Sequence, residues 1–329
     1  MLKKELITTL QKTKNLLAFS AGGDSTALFF LLIQHNIPFD IAIVDYNIRK
    51  QSKEEVAYAK LLAKQYNLQC HIFQSPKINN NFEANARKIR YDFFETLIQK
   101  YSYTHLLTAH HLGDRFEWML MQFCKGAGCV ELSGMQQEEK KSTHTIIRPL
   151  LDYDKTELLA YLHKHNIQYF FDETNNDTTI KRNEFRHNYT TPLLQKYLQG
   201  IKKSFQYIDE DRKNLITPIQ ITTIKDFAYF LLHNQRSNIY AIDQYLKQNN
   251  LMMSASEKTL LKQQTTTIIA RKFVVTFTQK YCFIAPFLKD NTPLPKEFKE
   301  ECRKRKIEPK LRKYLYQNND IFQIIKSKF

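Results

Sequence analysis

The residues best suited to chemistry in this chain lie in two short stretches. The first is Ser20-Ala21-Gly22-Gly23-Asp24-Ser25, set between an apolar run and a second apolar segment of different rhythm. Main-chain N–H groups in such a turn, with the positive end of a helix behind them, can hold phosphate. The Ser20 and Ser25 hydroxyls add donors. Asp24 is out of place beside an anion unless it works through a metal ion or a cationic co-substrate. A plain strand-to-helix turn with Ser or Asp as helix cap accounts for the same residues without any ligand. Neither the Gly-Lys-Ser/Thr of the Walker loop nor Gly-x-Gly-x-x-Gly occurs here. The second stretch is His110-His111-Leu112-Gly113-Asp114-Arg115-Phe116-Glu117. Asp114 and Glu117 stand three residues apart, which puts both carboxylates on one helix face. Such a pair can hold a cation or take a proton. His110 and His111 close an apolar run, where histidine more commonly shapes a site than reacts in it.

Both stretches need a strand before them and a helix after them. Residues 16–19 read as a strand, 26–34 as a helix and 39–47 as a second strand. Residues 52–67 form an amphipathic pattern with Ser52 as cap and Glu55 three residues on. A third strand over 68–74, a long helix over 81–101, a fourth strand over 104–111 and a helix over 114–124 follow. This alternation predicts an α/β class: a Rossmann-like parallel sheet with helices on both faces, binding its ligand at the carboxyl ends of the strands. A helix is expected over 154–167, then a polar stretch and helices to about residue 215. Residues 265–285 are β-like and 301–313 are basic, which predicts a smaller mixed α/β C-terminal domain. The expected division is a catalytic domain over 1–200, then a helical linker and C-terminal domain over 201–329, with Thr217-Pro218 a further candidate break.

The composition narrows the partners. Of 329 residues, 49 are Lys or Arg and 33 Asp or Glu, a formal net charge of +16. That favours a polyanion, most commonly nucleic acid, although a Lys-, Asn- and Ile-rich bias raises the charge without any partner. No apolar run approaches the ~18 residues of a bilayer span. No leader is expected, and a cytoplasmic protein without membrane contact is. Cys70, Cys124, Cys129, Cys282 and Cys302 are scattered without Cys-x-x-Cys, so reduced thiols and no iron–sulfur cluster are expected. The 7 glycines end at Gly200, which places close backbone approach to a ligand in the first two thirds of the chain.

The first stretch resembles the Ser-Gly-Gly-x-Asp-Ser loop of the N-type ATP pyrophosphatases, the PP-loop family. Ala21 stands at the usual first glycine, and its methyl is expected to be tolerated only at negative φ. Further stretches resemble, in order, motifs of the tRNA(Ile)-lysidine synthetases: VDYNIR (44–49), FEANARKIRYDFF (82–94), TAHHLGDRFEW (108–118), KGAGCVELSGM (125–135), IRPLLDYDKTELLAYL (147–162), DETNND (172–177) and KRNEFRHNYTTPLL (181–194). The resemblance covers residues 15–195. It implies an ATP-dependent ligase that joins lysine to C2 of the first anticodon cytidine of an isoleucine tRNA with anticodon CAU. The C2 oxygen would attack the α-phosphorus, pyrophosphate would leave, and the lysine amine would displace AMP. Decoding would change from AUG to AUA.

The resemblance also implies roles. Ser20, Ala21, Gly22, Gly23, Asp24, Ser25, Val44, Ala109 and His110 would bind ATP, and Asp24 would be the Mg²⁺ ligand. Asp24, Arg87, Asp114 and Glu117 would be catalytic, with Asp114 and Glu117 holding the lysine ammonium. Asp172, Asn175, Asp177, Arg182, Asn183 and Arg186 would lie beside nucleotide and tRNA, with Arg182 and Arg186 on the tRNA. Three positions depart from the pattern: Gly113 replaces the first acid of an Asp-Asp pair, Arg115 replaces Gln, and Trp118 replaces Thr. In the last third, Arg303 and Arg305 are expected to contact tRNA, with Tyr314 and Tyr316 able to stack on bases. The oligomeric state is left open, a homodimer included. Two other readings stand beside this one. A PP-loop tRNA 2-thiolation enzyme would need a cysteine set, which Cys124 and Cys129 do not provide at their spacing. A non-catalytic tRNA-binding relative has Gly113 and Ala21 in its favour.

Overall fold

The computed structural model describes residues 2–47, 51–171, 179–289 and 293–328. Its first elements are α1 (Lys4–Gln11), β1 (Asn15–Ala18), α2 (Gly23–Gln34), β2 (Phe39–Asp45), α3 (Gln51–Gln65), β3 (Cys70–Gln74), α4 (Phe82–Tyr101), β4 (His105–Leu107) and α5 (Leu112–Phe123). Next come α6 (Cys129–Leu132), β5 (Glu138–Lys140), β6 (Thr145–Ile147), α7 (Lys155–Lys164), α8 (Lys181–Phe185), a π-helical turn (Arg186–Thr190) and α9 (Thr191–Leu215). The chain divides into two compact units, Met1–Asp209 and Glu210–Phe329. The division falls inside α9, whereas the sequence reading put it at 200/201 or at Thr217-Pro218.

In the first unit a six-stranded sheet has the order β3-β2-β1-β4-β6-β5. All neighbours pair in parallel except β5 with β6. Strand alternation explains why helices cover both faces. Leu17, Ile41, Ile43, Leu107 and Ile147 point into one cluster with Leu28, Phe29, Leu31 and Leu32 of α2. Their neighbours Leu16, Ala42, Leu106 and Ile146 point the other way, against Phe94, Leu97 and Ile98 of α4. Each such fully buried side chain contributes roughly 1.5–3 kcal/mol. The chain runs outward from β1 to β2 and β3, then returns to β4 on the other side of β1. The strand order therefore reverses between β1 and β4, and the loops leaving these two strands open into one crevice.

Several bounds differ from those expected. β2 ends at Asp45, because its carboxylate accepts the Asn47 N–H (2.8 Å) and Asn47 turns to φ +50°. β4 has three residues, and Thr108 makes the last sheet contact, N–H to Ile147 O at 3.0 Å. α3 already runs at Gln51, so Ser52 lies inside the helix. β5 and β6 were not expected, since three-residue strands carry too little alternation to read.

The second unit holds a five-stranded antiparallel sheet, β7-β8-β11-β10-β9. Its strands are β7 (Thr222–Ile224), β8 (Phe227–Leu231), β9 (Thr266–Ile269), β10 (Phe273–Phe277) and β11 (Tyr281–Pro286). α10 (Gln235–Gln248) and α11 (Ala255–Gln263) cover one face through Ile242, Leu246 and Leu261. On the other face lie α12 (Lys296–Lys304), α13 (Pro309–Gln317) and α14 (Asn319–Ile325), through Cys302, Leu315 and Phe322. This is the mixed α/β domain expected, with β7 and β8 added.

Candidate active site

The loop after β1 is built around Ser25. Its hydroxyl accepts the Ser20 N–H (3.2 Å), lies 3.1 Å from Ser20 Oγ and donates to Gly22 O (3.1 Å). These contacts curl residues 20–25 into a cup at the head of α2. Gly22 occupies the N-cap position and supplies no side-chain cap, so the first-turn N–H groups of this 12-residue helix face outward. Gly23 is required for packing: a Cβ there would lie 3.2 Å from Leu159 and 3.4 Å from Tyr169. Ala21, not a glycine, carries the left-handed backbone, at φ +58°. The expectation of a negative φ there is thus overturned. The methyl is fully buried and its carbonyl accepts the Phe170 N–H at 2.9 Å, so tertiary packing holds a conformation that costs about 1–2 kcal/mol.

Asp24 carries the clearest invitation to a ligand. Its Oδ1 is buried with no hydrogen-bond partner among the described residues, and Oδ2 lies 3.7 Å from His111 Nε2. An orphaned carboxylate oxygen beside a row of outward N–H groups fits a hard cation bridging to phosphate. Mg²⁺ commonly takes one or two protein carboxylates and completes its shell with substrate phosphates and water. Among the described residues no cluster of three His, Cys, Asp or Glu is arranged to hold a metal, and Asp24 would be one protein contact to it.

The loop after β4 delivers the acid pair. His111 caps α5: its Nδ1 accepts the Gly113 N–H (3.0 Å), while Asp114 Oδ2 accepts the His111 N–H (3.0 Å). With Nδ1 accepting, the ring N–H is on Nε2, which faces Asp24 and Asp114 at 3.7 and 3.6 Å. His110 packs against Thr108 Oγ1 (2.9 Å), and burial lowers it to about 4, so it is neutral near pH 7. Both carboxylates are already engaged. Arg182 donates from Nε to Glu117 Oε1 and from Nη2 to Asp114 Oδ1 (2.9 Å). Arg186 donates from Nε to Glu117 Oε2 (2.9 Å) and from Nη2 to Asp114 Oδ1 (3.3 Å). The π-helical turn at Arg186–Thr190 sits at this contact, a place where such irregularities recur.

Burial acts on the two acids in opposite balance. At Asp114 burial is the largest influence and raises the pKa, but the combined fields of His111, Arg182, His110 and Arg186 outweigh it and hold the carboxyl well below the usual range. At Glu117 burial prevails over both arginines and raises the pKa, with the Asp114 charge adding to it. Two neighbouring carboxyls with pKa values driven apart are divided between a permanent anion and a proton acceptor.

The other residues singled out from sequence are placed as follows. Val44 is the penultimate residue of β2 and Ala109 lies two residues past β4, both half-buried at the carboxyl edge of the sheet. Arg87 is exposed on α4, over the Tyr91 ring at 4.6 Å, and its charge is among those felt by His110. Asn183 is buried beside the two arginines. Arg182 and Arg186 were expected on tRNA; here both donate to the acid pair. Asp172, Asn175 and Asp177 lie outside the described residues, as does Arg49. In the second unit Arg303 is exposed, whereas Arg305 donates to Lys326 O (2.8 Å) and sits 3.7 Å from Glu301, which makes it a brace. Tyr314 cannot stack on a base in this structure: it is 3% exposed and stacks on Phe227 at 6.0 Å. Tyr316 is exposed, edge-on to Phe298.

Two departures from the motif acquire reasons. A Cβ at Gly113 would lie 2.7 Å from His111 Cε1, so the capping ring and a side chain at 113 exclude one another. Trp118 is 46% exposed and packs its edge on Gly134, where a Cβ would come within 3.0 Å and φ is +60°. Arg115, which sequence reasoning noted only as a departure, is buried and bonded to Asp209 and to the Ser133 carbonyl. No local signal links positions 115 and 209.

The PP-loop domain family matches residues 2–193. The tRNA(Ile)-lysidine synthase of Helicobacter pylori (strain ATCC 700392 / 26695) is 43% identical, over 95% of this chain and 92% of its own. That of Campylobacter jejuni (strain RM1221) is 40% identical over 96% and 97%, and that of Wolinella succinogenes 41% identical over 93% and 94%. The fold is similar to that of the U34-tRNA thiolase NcsA from Methanococcus maripaludis, with a TM-score of 0.52 at 17% identity, over 66% of this chain and 81% of that one. At that identity the likeness concerns fold alone. A phosphate cup after β1, an acid pair after β4 and these full-length similarities lead to one conclusion: the chain belongs to the tRNA(Ile)-lysidine synthase family of PP-loop proteins.

Proposed function

We propose that this protein is an ATP-dependent ligase that forms lysidine on isoleucine tRNA, joining lysine to C2 of the first anticodon cytidine by way of an adenylated tRNA. The observation that carries the reading is the meeting of the two loops at the β1/β4 crevice, an anion cup on one side and an acid pair on the other. Ser20 to Ser25 and the head of α2 hold the pyrophosphate end of ATP. Its departure is favoured because donors already face the charge that develops. Asp24, with its free oxygen, would hold Mg²⁺, which when bound supplies charge stabilisation on the phosphates. Val44, Ala109 and His110 line the remainder of the nucleotide site, and the exposed Arg87 guanidinium is available to the same phosphates.

In the second half-reaction the lysine amine must bind as an ammonium and attack as an amine. Asp114, held ionised, receives the ammonium. Glu117, with its raised pKa, accepts the proton released on attack. Since Arg182 and Arg186 already donate to these oxygens, the incoming ammonium shares or exchanges their contacts. Arg303 and its exposed neighbours Lys304, Lys306 and Lys310 supply phosphate contacts to the tRNA. The thiolation alternative rests on fold likeness only. The test is incorporation of labelled lysine into isoleucine tRNA with anticodon CAU, with release of AMP. Purified protein that makes neither product with ATP, lysine and Mg²⁺ present would defeat the reading.

A further inference from the structure

Among the described residues Arg115 is the largest fully buried side chain, at 1% exposure. Its Nε and Nη2 donate to Ser133 O at 3.0 and 2.8 Å. Nη1 donates to Asp209 Oδ2 at 3.0 Å and Nη2 to Asp209 Oδ1. The guanidinium lies over the Phe205 ring, 4.3 Å from its centroid. Four of its five N–H groups thus have partners. Arg115 follows Asp114 directly and precedes Glu117 by two residues.

The partners on either side of α5 belong to one continuous helical run, α8 through α9. Glu117 touches Arg186 at the start of that run, and Arg115 touches Asp209 near its end. A straight helix from 186 to 209 would span roughly 35 Å, more than contacts from neighbouring residues of one helix can bridge. The run reconciles this with a break at Tyr197 (φ −129°, ψ 28°). Leu194 before the break and Phe205 after it join Leu112 and Phe116 of α5 in one apolar cluster, with the Phe205 ring edge-on to Phe116 at 6.3 Å. The run therefore folds around α5, and Arg115–Asp209 is the polar tie on its returning arm.

We propose that Arg115, held by Asp209, is a positioning residue for the amine half-reaction: it fixes the rotation of α5 about its axis and so the placement of Asp114 and Glu117. The proposal rests on the assignment of that acid pair to lysine. A bidentate guanidinium on a fixed carboxylate and carbonyl sets the helix rotation in a way that apolar packing on Phe116 alone does not. Asp209 is the last residue of the first unit, and α9 continues beyond it, so the tie stands where the catalytic unit passes into the second.

The test measures KM for lysine and for ATP in full-length Arg115→Met, Asp209→Asn, the double variant and Asp114→Asn, with melting curves for each. Expected are a lysine KM at least tenfold higher in both single variants, an ATP KM changed less than threefold, and a double variant no worse than either single one. Unchanged lysine KM in folded Arg115→Met and Asp209→Asn, with Asp114→Asn raising it, overturns this inference and leaves the lysine site standing. Unchanged lysine KM in Asp114→Asn as well overturns the lysine site itself. Equal loss in both KM values shows a general structural role and also overturns the inference. Should Arg115→Met fail to fold, Asp209→Glu keeps the charge and lengthens the arm by one methylene. It must then raise the lysine KM at least threefold with the ATP KM unchanged, and an unaltered lysine KM overturns the proposal.

Discussion

The loops after β1 and β4 open into the same crevice with opposite economies of hydrogen bonding. After β1, Asp24 keeps a buried oxygen without a partner and the head of α2 has no side-chain cap. After β4, His111 caps α5, Asp114 takes three donors and Glu117 takes two. An unsatisfied buried oxygen costs roughly 1–3 kcal/mol and persists where a ligand relieves it. A saturated network instead fixes geometry, and a substrate must exchange with what is already bound. The first loop is therefore built to receive, and the second to align.

Substitutions at the two loops should separate these roles. The largest effect is expected at Asp24→Ala. The rate of tRNA-dependent AMP formation should fall by about 10³-fold or more, the scale of several kcal/mol of lost charge stabilisation, while the Kd for tRNA stays within twofold. Activity near wild type would remove the receptive character of the first loop. Asp114→Asn comes next. The lysine KM should rise about 10- to 100-fold, matching a charge-assisted contact of roughly 1.5–3 kcal/mol, with the ATP KM little altered.

The same variant has a signature in stability. The folded pKa of Asp114 lies well below its unfolded value of 3.8, so its contribution is fully present above about pH 4 and is lost as pH falls through the folded value. The difference in unfolding free energy between wild type and Asp114→Asn should be largest near pH 7 and shrink below pH 4. A constant difference would show that the charge network does not align α5.

Gly113→Ala places a methyl where the His111 ring lies, so the cap is displaced. A loss of about 1–2 kcal/mol of stability is expected, read as a drop in Tm of several degrees. A Tm equal to wild type would mean that the ring finds another cap position. The smallest effect is expected at Ala21→Gly. Glycine relieves the left-handed strain but loses a buried methyl and gains unfolded-state freedom, so the net change should stay within about 1 kcal/mol. A larger loss would show that the receptive loop, too, depends on tight packing.

What the sequence by itself determined is local. Strand-helix alternation, the phosphate turn and the i, i+3 acid pair follow from periodicity and turn chemistry within a dozen residues, and all were legible. So was the β-rich segment at 265–285, although three-residue strands and the break at Tyr197 left no readable trace. What only the tertiary structure decided is pairing. Arg182 and Arg186 lie 65 to 72 positions from the acids they hold, and Asp209 lies 94 from Arg115. Asp24 and His111 come together because β1 and β4 are neighbours in the sheet though far apart in the chain. Arginines that read as tRNA contacts became partners of carboxylates, and Tyr314 became core. A charge in a sequence states what a side chain can bind, and only the packing of distant segments settles which opposite charge it meets first.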